Sequence, residues 1–229
     1  MNGEFILKLL KDTVEGPVRT SQLSDEPNAR YVERNLLKLV KNGLVSRNED
    51  TFETSAKQKL DLAVLAIREG VDVEQVCGAF GWEEFEDFAA FALEQNGFET
   101  RKHFRFKFGG KRYEIDVVGL KEPLVLSVEC KHWRQSWKKA AIADAVTRQV
   151  ERTRALVVSF PEPKDRLKLA IWKEANFVPI LVTLSDTPLR MRDGVPIVPV
   201  FYFNSFLDEM GSHMGELSSF STVKATRLV

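Results

Sequence analysis

The sequence of 229 residues has only two cysteines, Cys77 and Cys130, and it has no long apolar run. Neither cysteine has a second Cys or a His nearby at zinc-site spacing, so neither a disulfide framework nor a structural zinc is indicated. No stretch approaches the roughly 18 consecutive apolar residues of a membrane span, and the N-terminal residues lack the pattern of a signal peptide. We therefore expect a soluble, cytoplasmic protein without a membrane partner.

Net charge is also absent, because 33 Lys and Arg balance 33 Asp and Glu, but the charges are unevenly distributed. Residues 1–100 contain 11 basic and 19 acidic residues, whereas residues 101–173 contain 18 basic and 8 acidic residues. A basic block favours a polyanionic partner, because Lys and Arg that neutralise phosphates release condensed counterions. On charge alone, a nucleic-acid surface and an ordinary solvated basic surface both remain open.

The composition is that of a folded protein, with 44% apolar and 29% charged residues, which excludes extensive disorder. The length suits one large domain or two small ones. We predict four segments: a first domain at 1–69, a helical connector at 70–81, a second domain at 82–210, and a C-terminal tail at 211–229. The tail is Ser-rich and weakly patterned.

The first domain is predicted to contain three helices followed by a β-hairpin and a fourth helix. The apolar pattern predicts helices over 2–11, near 20–21 and over 28–41, strands at 44–46 and 51–54, and a helix over 55–68. The third helix should turn four residues inward: Val32, Leu36, Leu37 and Val40. This order of elements resembles a winged helix-turn-helix domain.

The third helix also has a stripe of cations on its predicted outer side. At helical spacing these cations align along one face: Arg30, Arg34, Lys38 and Lys41. In a winged helix-turn-helix this helix enters the DNA groove, so we expect the stripe to bind DNA. Two alternatives stay open, namely a solvated helix face and a module for protein interaction or dimerisation.

The second domain is predicted to begin with a helix over 82–96 and to continue with strands over 98–108, 111–119 and 123–131. The pair Gly109-Gly110 predicts a tight hairpin turn between the first two strands, since glycine accepts positive φ angles. A helix over 140–156, a helix over 164–175, strands at 177–183 and 195–203, and a helix over 204–210 follow.

Period-two alternation on the second and third strands of this domain brings three charged residues together. Asp116 lies on one face of its strand, and Glu129 and Lys131 share one face of the next. Charged side chains on such apolar strands are costly to bury unpaired. Two carboxylates beside a lysine therefore indicate either an ion-pair network or a site for a divalent metal.

These residues resemble the PD-(D/E)xK nucleases of the restriction-endonuclease-like superfamily, in particular the Mrr-like and archaeal Holliday-junction-resolvase-like branch. Three segments over about residues 82–185 carry the resemblance: Phe85-Glu86, Glu114-Ile115-Asp116 and Val128-Glu129-Cys130-Lys131. Ile115 stands where the motif's name has Pro, which leaves the Asp in place. The resemblance implies an α/β fold, with an αβββαβ core around a central mixed sheet after the winged helix.

The resemblance also implies a metal centre. Asp116 and Glu129 would bind Mg²⁺ or Mn²⁺ with the main-chain carbonyl of Cys130, since such ions prefer hard oxygen ligands. Lys131 would orient the attacking water and stabilise charge on the phosphate. Glu86 would face the same metal from its helix, although an exposed position for Glu86, with Glu83 or Asp87 in this role, stays open.

Further residues near these strands are candidates for binding nucleic acid. Cations and aromatics follow the third strand and would hold phosphates and pack on sugars or bases: Arg134, Lys138 and Lys139 with Trp133 and Trp137. Gln149 and Arg152 lie three residues apart on the next helix and would face the sheet or the substrate. Alternatives stay open for each of these: the tryptophans are equally suited to a core, and Gln149 and Arg152 to solvent. Glu114 shares the face of Asp116 and could assist it, or it is a surface charge on an edge strand. His132 is either a second general base or a surface residue that forms hydrogen bonds.

The sequence thus predicts a Mg²⁺-dependent endonuclease that hydrolyses DNA to 5′-phosphate ends and acts as a homodimer, since two sites are needed to cut both strands together. A different class of function is a non-catalytic DNA-binding regulator on the same scaffold. A third interpretation makes the first domain an arm that docks on a protein partner.

Overall fold

A computed structural model of the chain describes residues 2–23, 29–131, 139–159, 167, 169, 172–184 and 186–223. The chain divides into two compact units, Met1–Phe88 and Ala89–Val229. None of the helices in these ranges combines the length and the apolar character that crossing a bilayer requires.

The first unit follows the predicted order of helices and hairpin. Its elements are α1 (Gly3–Glu15), β1 (Val18–Arg19), α2 (Thr20–Leu23), α3 (Ala29–Lys41), β2 (Ser46–Asn48), β3 (Thr51–Glu53), α4 (Ala56–Arg68) and α5 (Val73–Cys77). The three strands pair in the order β1-β3-β2, all antiparallel. Ser55 and Gln58 form a capping box that fixes the start of α4. That this unit is a winged helix-turn-helix stays a prediction.

In α3 the structure corrects one of the predicted inward residues. Val32 and Leu36 are buried as predicted, but Leu37 is 43% exposed and Leu39 takes its place in the core. Residues 32, 36 and 39 recur at the helical repeat, whereas residue 37 is rotated by about 100° from residue 36. The predicted cationic stripe is solvent-exposed at all four of its positions: Arg30, Arg34, Lys38 and Lys41.

Helix α6 (Trp82–Gln95) contains the boundary between the two units, which lies between Phe88 and Ala89. The prediction placed this whole helix in the second domain. Its N-terminal half packs within the first unit, where the rings of Phe80 and Phe88 lie 4.6 Å apart and Lys59 forms an ion pair with Glu84 at 3.5 Å. These contacts explain why the compact units divide inside the helix.

Within its described residues, the second unit contains a mixed sheet of seven strands with the long helices α7 and α8. Its elements are β4 (Glu99–Phe108), β5 (Lys111–Lys121), β6 (Leu124–Lys131), α7 (Lys139–Val158), β7 (Glu174–Thr183), β8 (Met191–Arg192), β9 (Val195–Pro199), α8 (Val200–His213) and β10 (Phe220–Val223). The order is β4-β5-β6-β7-β9-β8, with β10 paired to β7. Strands β6 and β7 run parallel, whereas β4 and β6 both run antiparallel to β5. The predicted α/β fold with a central mixed sheet is therefore confirmed.

The hairpin between β4 and β5 turns at the predicted glycines. Gly109 and Gly110 adopt φ angles of 55° and 77°, and Phe108 pairs with Lys111 across the turn. Positive φ at both central positions is the geometry that favours glycine in a two-residue hairpin turn.

The structure corrects the prediction after β7. The predicted strand 195–203 ends at Pro199, and residues 200–203 begin α8, which buries Val200, Phe203 and Leu207 at helical spacing. Helix α8 runs past residue 210 to His213, and β10 pairs with β7, so residues up to 223 belong to the folded unit rather than to a tail. Residues 174 and 175 lie in β7 rather than in the predicted helix 164–175, half of which is outside the described residues.

Helix α7 covers one face of the sheet and thereby positions the candidate site. Ile142 and Val146 pack with Leu181 of β7, and Leu156 packs with Val118 of β5. The polar side chains between these apolar anchors, at positions 149 and 152, are therefore held against β6.

Candidate metal centre

The two predicted metal-binding carboxylates lie on neighbouring strands. The β5–β6 ladder ends at the pair Val117–Val128, and Asp116 and Glu129 are the next residue on each strand. The carboxylate Oδ2 of Asp116 accepts a 2.8 Å hydrogen bond from the backbone N–H of Cys130. Asp116 is thus anchored to the backbone of the strand that bears Glu129.

Glu129 is buried and is held between two cations. The residue is 3% exposed, and its Oε1 accepts a hydrogen bond from Lys131 Nζ while its Oε2 accepts one from Arg152. A buried carboxylate is stabilised only when its charge is compensated and its oxygens are hydrogen-bonded. Lys131 is at its predicted place beside Glu129, and the second cation comes from α7.

The structure contains an ion-pair network, which was one of the two sequence-based interpretations, between Glu129 and the cations of Lys131 and Arg152. Asp116 lies beside this network through its hydrogen bond with the Cys130 amide. The side chains of Lys131 and Arg152 are about a quarter exposed, so both reach from the buried Glu129 toward solvent. Such a cluster leaves the cations accessible to an anion arriving from outside.

The carboxylates of Asp116 and Glu129 are hard oxygen donors, and their binding of a divalent cation stays a prediction. In the ranges that the structure describes, no three or more His, Cys, Asp or Glu residues are grouped so that they could hold a metal ion. Mg²⁺ needs no such group, because it keeps several waters and is often bound through one or two carboxylates. Asp116, Glu129 and the Cys130 carbonyl supply that donor set, provided that Glu129 gives up a cation.

The structure corrects the expectation that Gln149 binds nucleic acid. Gln149 is fully buried, and its Nε2 donates to the carbonyl of Ser127 at 2.6 Å and to the Ser127 hydroxyl at 3.1 Å. The Gln149 amide cannot reach a substrate from this position. It holds α7 against β6 two residues before Glu129, while Arg152, one turn farther along α7, contacts Glu129 and stays partly exposed.

Sequence reasoning missed the partners of these two residues, although the signal was present. Ser127 and Glu129 lie two residues apart and share one face of β6, and Gln149 and Arg152 lie three apart on α7. Two polar pairs at matching spacing on elements that pack together indicate direct contacts between them.

Glu86 is buried on α6, with 1% exposure, so the alternative in which it is an exposed charge is wrong. Glu86 belongs to the first unit, whereas Asp116 and Glu129 belong to the second. Its predicted role at the metal stays a prediction.

Glu114 forms a cross-strand ion pair on the hairpin. Its carboxylate accepts a 2.8 Å hydrogen bond from Arg105 Nε and lies 3.5 Å from His103 Nδ1. The hydrogen bond from Arg105 lowers the pKa of Glu114, and the pKa of Arg105 is raised by the same bond. This is the surface-edge role that the sequence left open for Glu114.

Part of the predicted nucleic-acid surface lies outside the described residues. This part comprises His132, Trp133, Arg134, Trp137 and Lys138. Lys139 is described and is an exposed residue at the start of α7.

A family model with the description "Restriction endonuclease", Mrr_cat, matches residues 78–161. This range contains α6, β4, β5, β6 and α7. An uncharacterized protein of Archaeoglobus fulgidus is 30% identical over 135 residues, which make up 59% of this chain and 95% of that protein.

Two solved structures are similar to this chain at low sequence identity. The crystal structure of AF1548, a protein of unknown function, is 19% identical with a TM-score of 0.28 and covers 43% of this chain and 46% of its own. The crystal structure of protein VC1899 from Vibrio cholerae is 13% identical with a TM-score of 0.37 and covers 93% of this chain and 52% of its own. The chain therefore spans about half the length of each of these two proteins.

Proposed function

This chain belongs to the Mrr_cat family of restriction endonucleases, and from that premise we propose that it is a metal-dependent endonuclease that hydrolyses DNA phosphodiester bonds. The observation that carries the proposal is the placement of Asp116 and Glu129 at the end of the β5–β6 ladder with Lys131 in contact with Glu129. Metal-dependent hydrolysis of a phosphodiester needs oxygen ligands for the ion and benefits from a nearby cation that counters charge on the phosphate.

Asp116, Glu129 and the Cys130 carbonyl would hold Mg²⁺ or Mn²⁺, and Glu86 is the proposed helix carboxylate for the same ion. When bound, the ion acts as a Lewis acid on the phosphate and lowers the pKa of a bound water. Arg152 keeps the charge of Glu129 compensated when no ion is bound. Arg152, which is about a quarter exposed, would be available to a phosphate once an ion compensates Glu129.

Lys131 has two tasks in this proposal. Its ammonium group orients the attacking water by hydrogen bonding and counters the negative charge that builds up on the phosphorus oxygens. Water attacks phosphorus through its oxygen and gives up one proton to solvent, the bond from phosphorus to the 3′ oxygen breaks, and the 3′ oxygen takes up a proton from solvent. The products are a 5′-phosphate end and a 3′-hydroxyl end. A homodimer would cut both strands in one encounter.

The first test is cleavage. We expect purified protein to nick supercoiled DNA with Mg²⁺ or Mn²⁺ and not in EDTA, and Asp116→Asn, Glu129→Gln and Lys131→Met each to abolish nicking. Arg190→Ala, which removes an exposed cation paired with Asp186, is the matched control and should cleave normally. Cleavage that survives all three site changes contradicts the proposal. Binding without cleavage of linear, supercoiled or branched DNA would favour the non-catalytic regulator.

The proposed DNA-binding role of the first unit has its own test. Arg34→Ala with Lys38→Ala removes two exposed charges of the α3 stripe and should weaken duplex binding in EDTA. Lys57→Ala removes an exposed charge that is paired with Asp61 on α4 and should leave affinity unchanged. Equal affinity of the double variant and the wild type would favour the protein-docking interpretation.

A further inference from the structure

The outer part of the β4–β5 hairpin is a two-stranded arm. The two strands pair from Glu99–Leu120 out to Phe108–Lys111, whereas β5 pairs with β6 only from Val117 onward. Among the described residues, positions 104–108 and 111–115 therefore pair only with each other. At a rise of about 3.3 Å per residue the arm is roughly 17 Å long.

One face of the arm is largely apolar, and its contacts hold the arm against the rest of the second unit. Phe104 is buried, the rings of Phe106 and Tyr113 stack at 5.3 Å, and Lys111 Nζ contacts Glu151 of α7 at 2.7 Å. A two-stranded hairpin alone is only marginally stable, so these contacts are what keep the arm in one place.

The opposite face of the arm carries an uncompensated positive charge. Cross-strand pairing places Arg105 opposite Glu114 and Lys107 opposite Arg112. Glu114 is neutralised by Arg105 through a 2.8 Å hydrogen bond. Lys107 and Arg112 are both exposed, and neither forms an ion pair with a described residue. Like charges directly opposite each other destabilise a hairpin, so the pair Lys107–Arg112 costs stability unless an anion bridges it.

We propose that this face of the arm binds the phosphate backbone of a duplex nucleic acid. A two-stranded β-ribbon has the width that the major groove of a duplex admits, and two adjacent cations match a phosphate between them. Phe108, at the tip, is exposed but lies on the opposite face with Phe106, so Lys107 and Arg112 supply the contacts of the proposed binding face.

The arm is also continuous with the candidate metal centre. Arg112 lies four residues before Asp116 on β5, which corresponds to about 13 Å of strand. The inference rests on the proposed function for the identity of the partner, since a nuclease must hold the duplex on both sides of the bond it cuts. The arm would hold the duplex a few base pairs from that bond.

The test uses binding alone, in EDTA, so that no cleavage chemistry contributes. Fluorescence anisotropy with a labelled 30-base-pair duplex should show about tenfold weaker binding for Lys107→Ala with Arg112→Ala. The slope of log Kd against log salt should fall by about 1.8, because two phosphate contacts are lost. The control, Arg190→Ala with Arg192→Ala, removes two cations of the same unit that are paired with Asp186 and Asp193 and should change affinity less than twofold.

A charge reversal separates binding from folding. Lys107→Glu places an acid opposite Arg112, so the hairpin should be as stable as in the wild type or more stable in thermal unfolding, while duplex affinity falls. Unchanged affinity and salt slope in both variants would overturn the inference and would leave an acidic protein as the partner of the arm. If the variants weaken duplex binding but the wild-type protein cleaves no DNA with Mg²⁺ or Mn²⁺, the result would support the inference and contradict the proposed nuclease function.

Discussion

The carboxylate of Asp116 accepts a 2.8 Å hydrogen bond from the backbone amide of Cys130, at the point where the β5–β6 ladder ends. One oxygen thereby satisfies an amide that strand pairing no longer reaches. The same carboxylate is the proposed metal ligand, so its structural role and its chemical role are separable by substitution.

Asp116→Asn and Asp116→Ala should separate these two roles. Asn keeps an oxygen acceptor for the Cys130 amide, so the variant should fold with a stability close to that of the wild type. Ala leaves the amide unsatisfied and should lower the free energy of unfolding by about 1–3 kcal/mol. Both should lose cleavage at least about 100-fold. Denaturant unfolding and nicking assays measure the two effects, and an active, stable Asp116→Asn would contradict the assignment of Asp116 as a ligand.

Divalent cations should stabilise the protein in the absence of DNA. A ligand that binds only the folded state raises the free energy of unfolding by RT ln(1 + [L]/Kd), so Mn²⁺ at tenfold its Kd adds about 1.4 kcal/mol. Thermal unfolding with and without Mn²⁺ should show this increase in the wild type and little or none in Glu129→Gln. An equal increase in both proteins would show that the ion binds elsewhere.

The two cations that contact Glu129 should differ in function. Lys131→Met and Arg152→Met each leave Glu129 with a single cationic partner. Breaking a buried pair costs about 3–5 kcal/mol, and we expect about 1–2 kcal/mol here because both cations are partly solvated. At equal folded fraction, Lys131→Met should lose cleavage and Arg152→Met should retain part of it. Equal losses in the two variants would contradict the separate task proposed for Lys131.

Gln149 should matter for stability and not for DNA affinity. Gln149→Ala removes two hydrogen bonds to Ser127 and opens a cavity in a fully buried position, which should cost about 2–4 kcal/mol. Duplex binding in EDTA, measured at a temperature where the variant is folded, should equal that of the wild type. A loss of affinity with unchanged stability would restore the expectation that Gln149 contacts nucleic acid.

The pH dependence of the hairpin should report the contact between Arg105 and Glu114. The hydrogen bond from Arg105 lowers the pKa of Glu114 in the folded state. The carboxylate therefore stabilises the fold at pH values above its unfolded-state pKa, and this contribution is lost as the pH falls through the folded-state pKa. NMR titration of Glu114 should show the lowered pKa, and Arg105→Gln should raise it. The same titration curve in both proteins would contradict the contact.

The local elements of the second unit could be predicted because each has a local cause. Gly109-Gly110 determines the hairpin turn, and the alternation along 111–119 and 124–131 determines two strands that bear Asp116 and Glu129. The predicted strand 195–203 was wrong past Pro199, because apolar residues in a short run suit a strand or a buried helix equally, and only packing selects between them. Strand β10 could not be predicted either, since its four residues, two apolar and two polar, are too few to indicate a strand without the pairing to β7.

By itself the sequence determined the chemical content of the site: two carboxylates and a lysine at strand spacing, within a basic stretch of the chain. Those properties depend only on residue type and on the periodicity of an extended backbone. The tertiary structure decided which charges meet. It placed Arg152 on Glu129, buried Gln149 against Ser127 and left Lys107 opposite Arg112, because contacts between elements distant in sequence depend on packing and strand register, which no local pattern encodes.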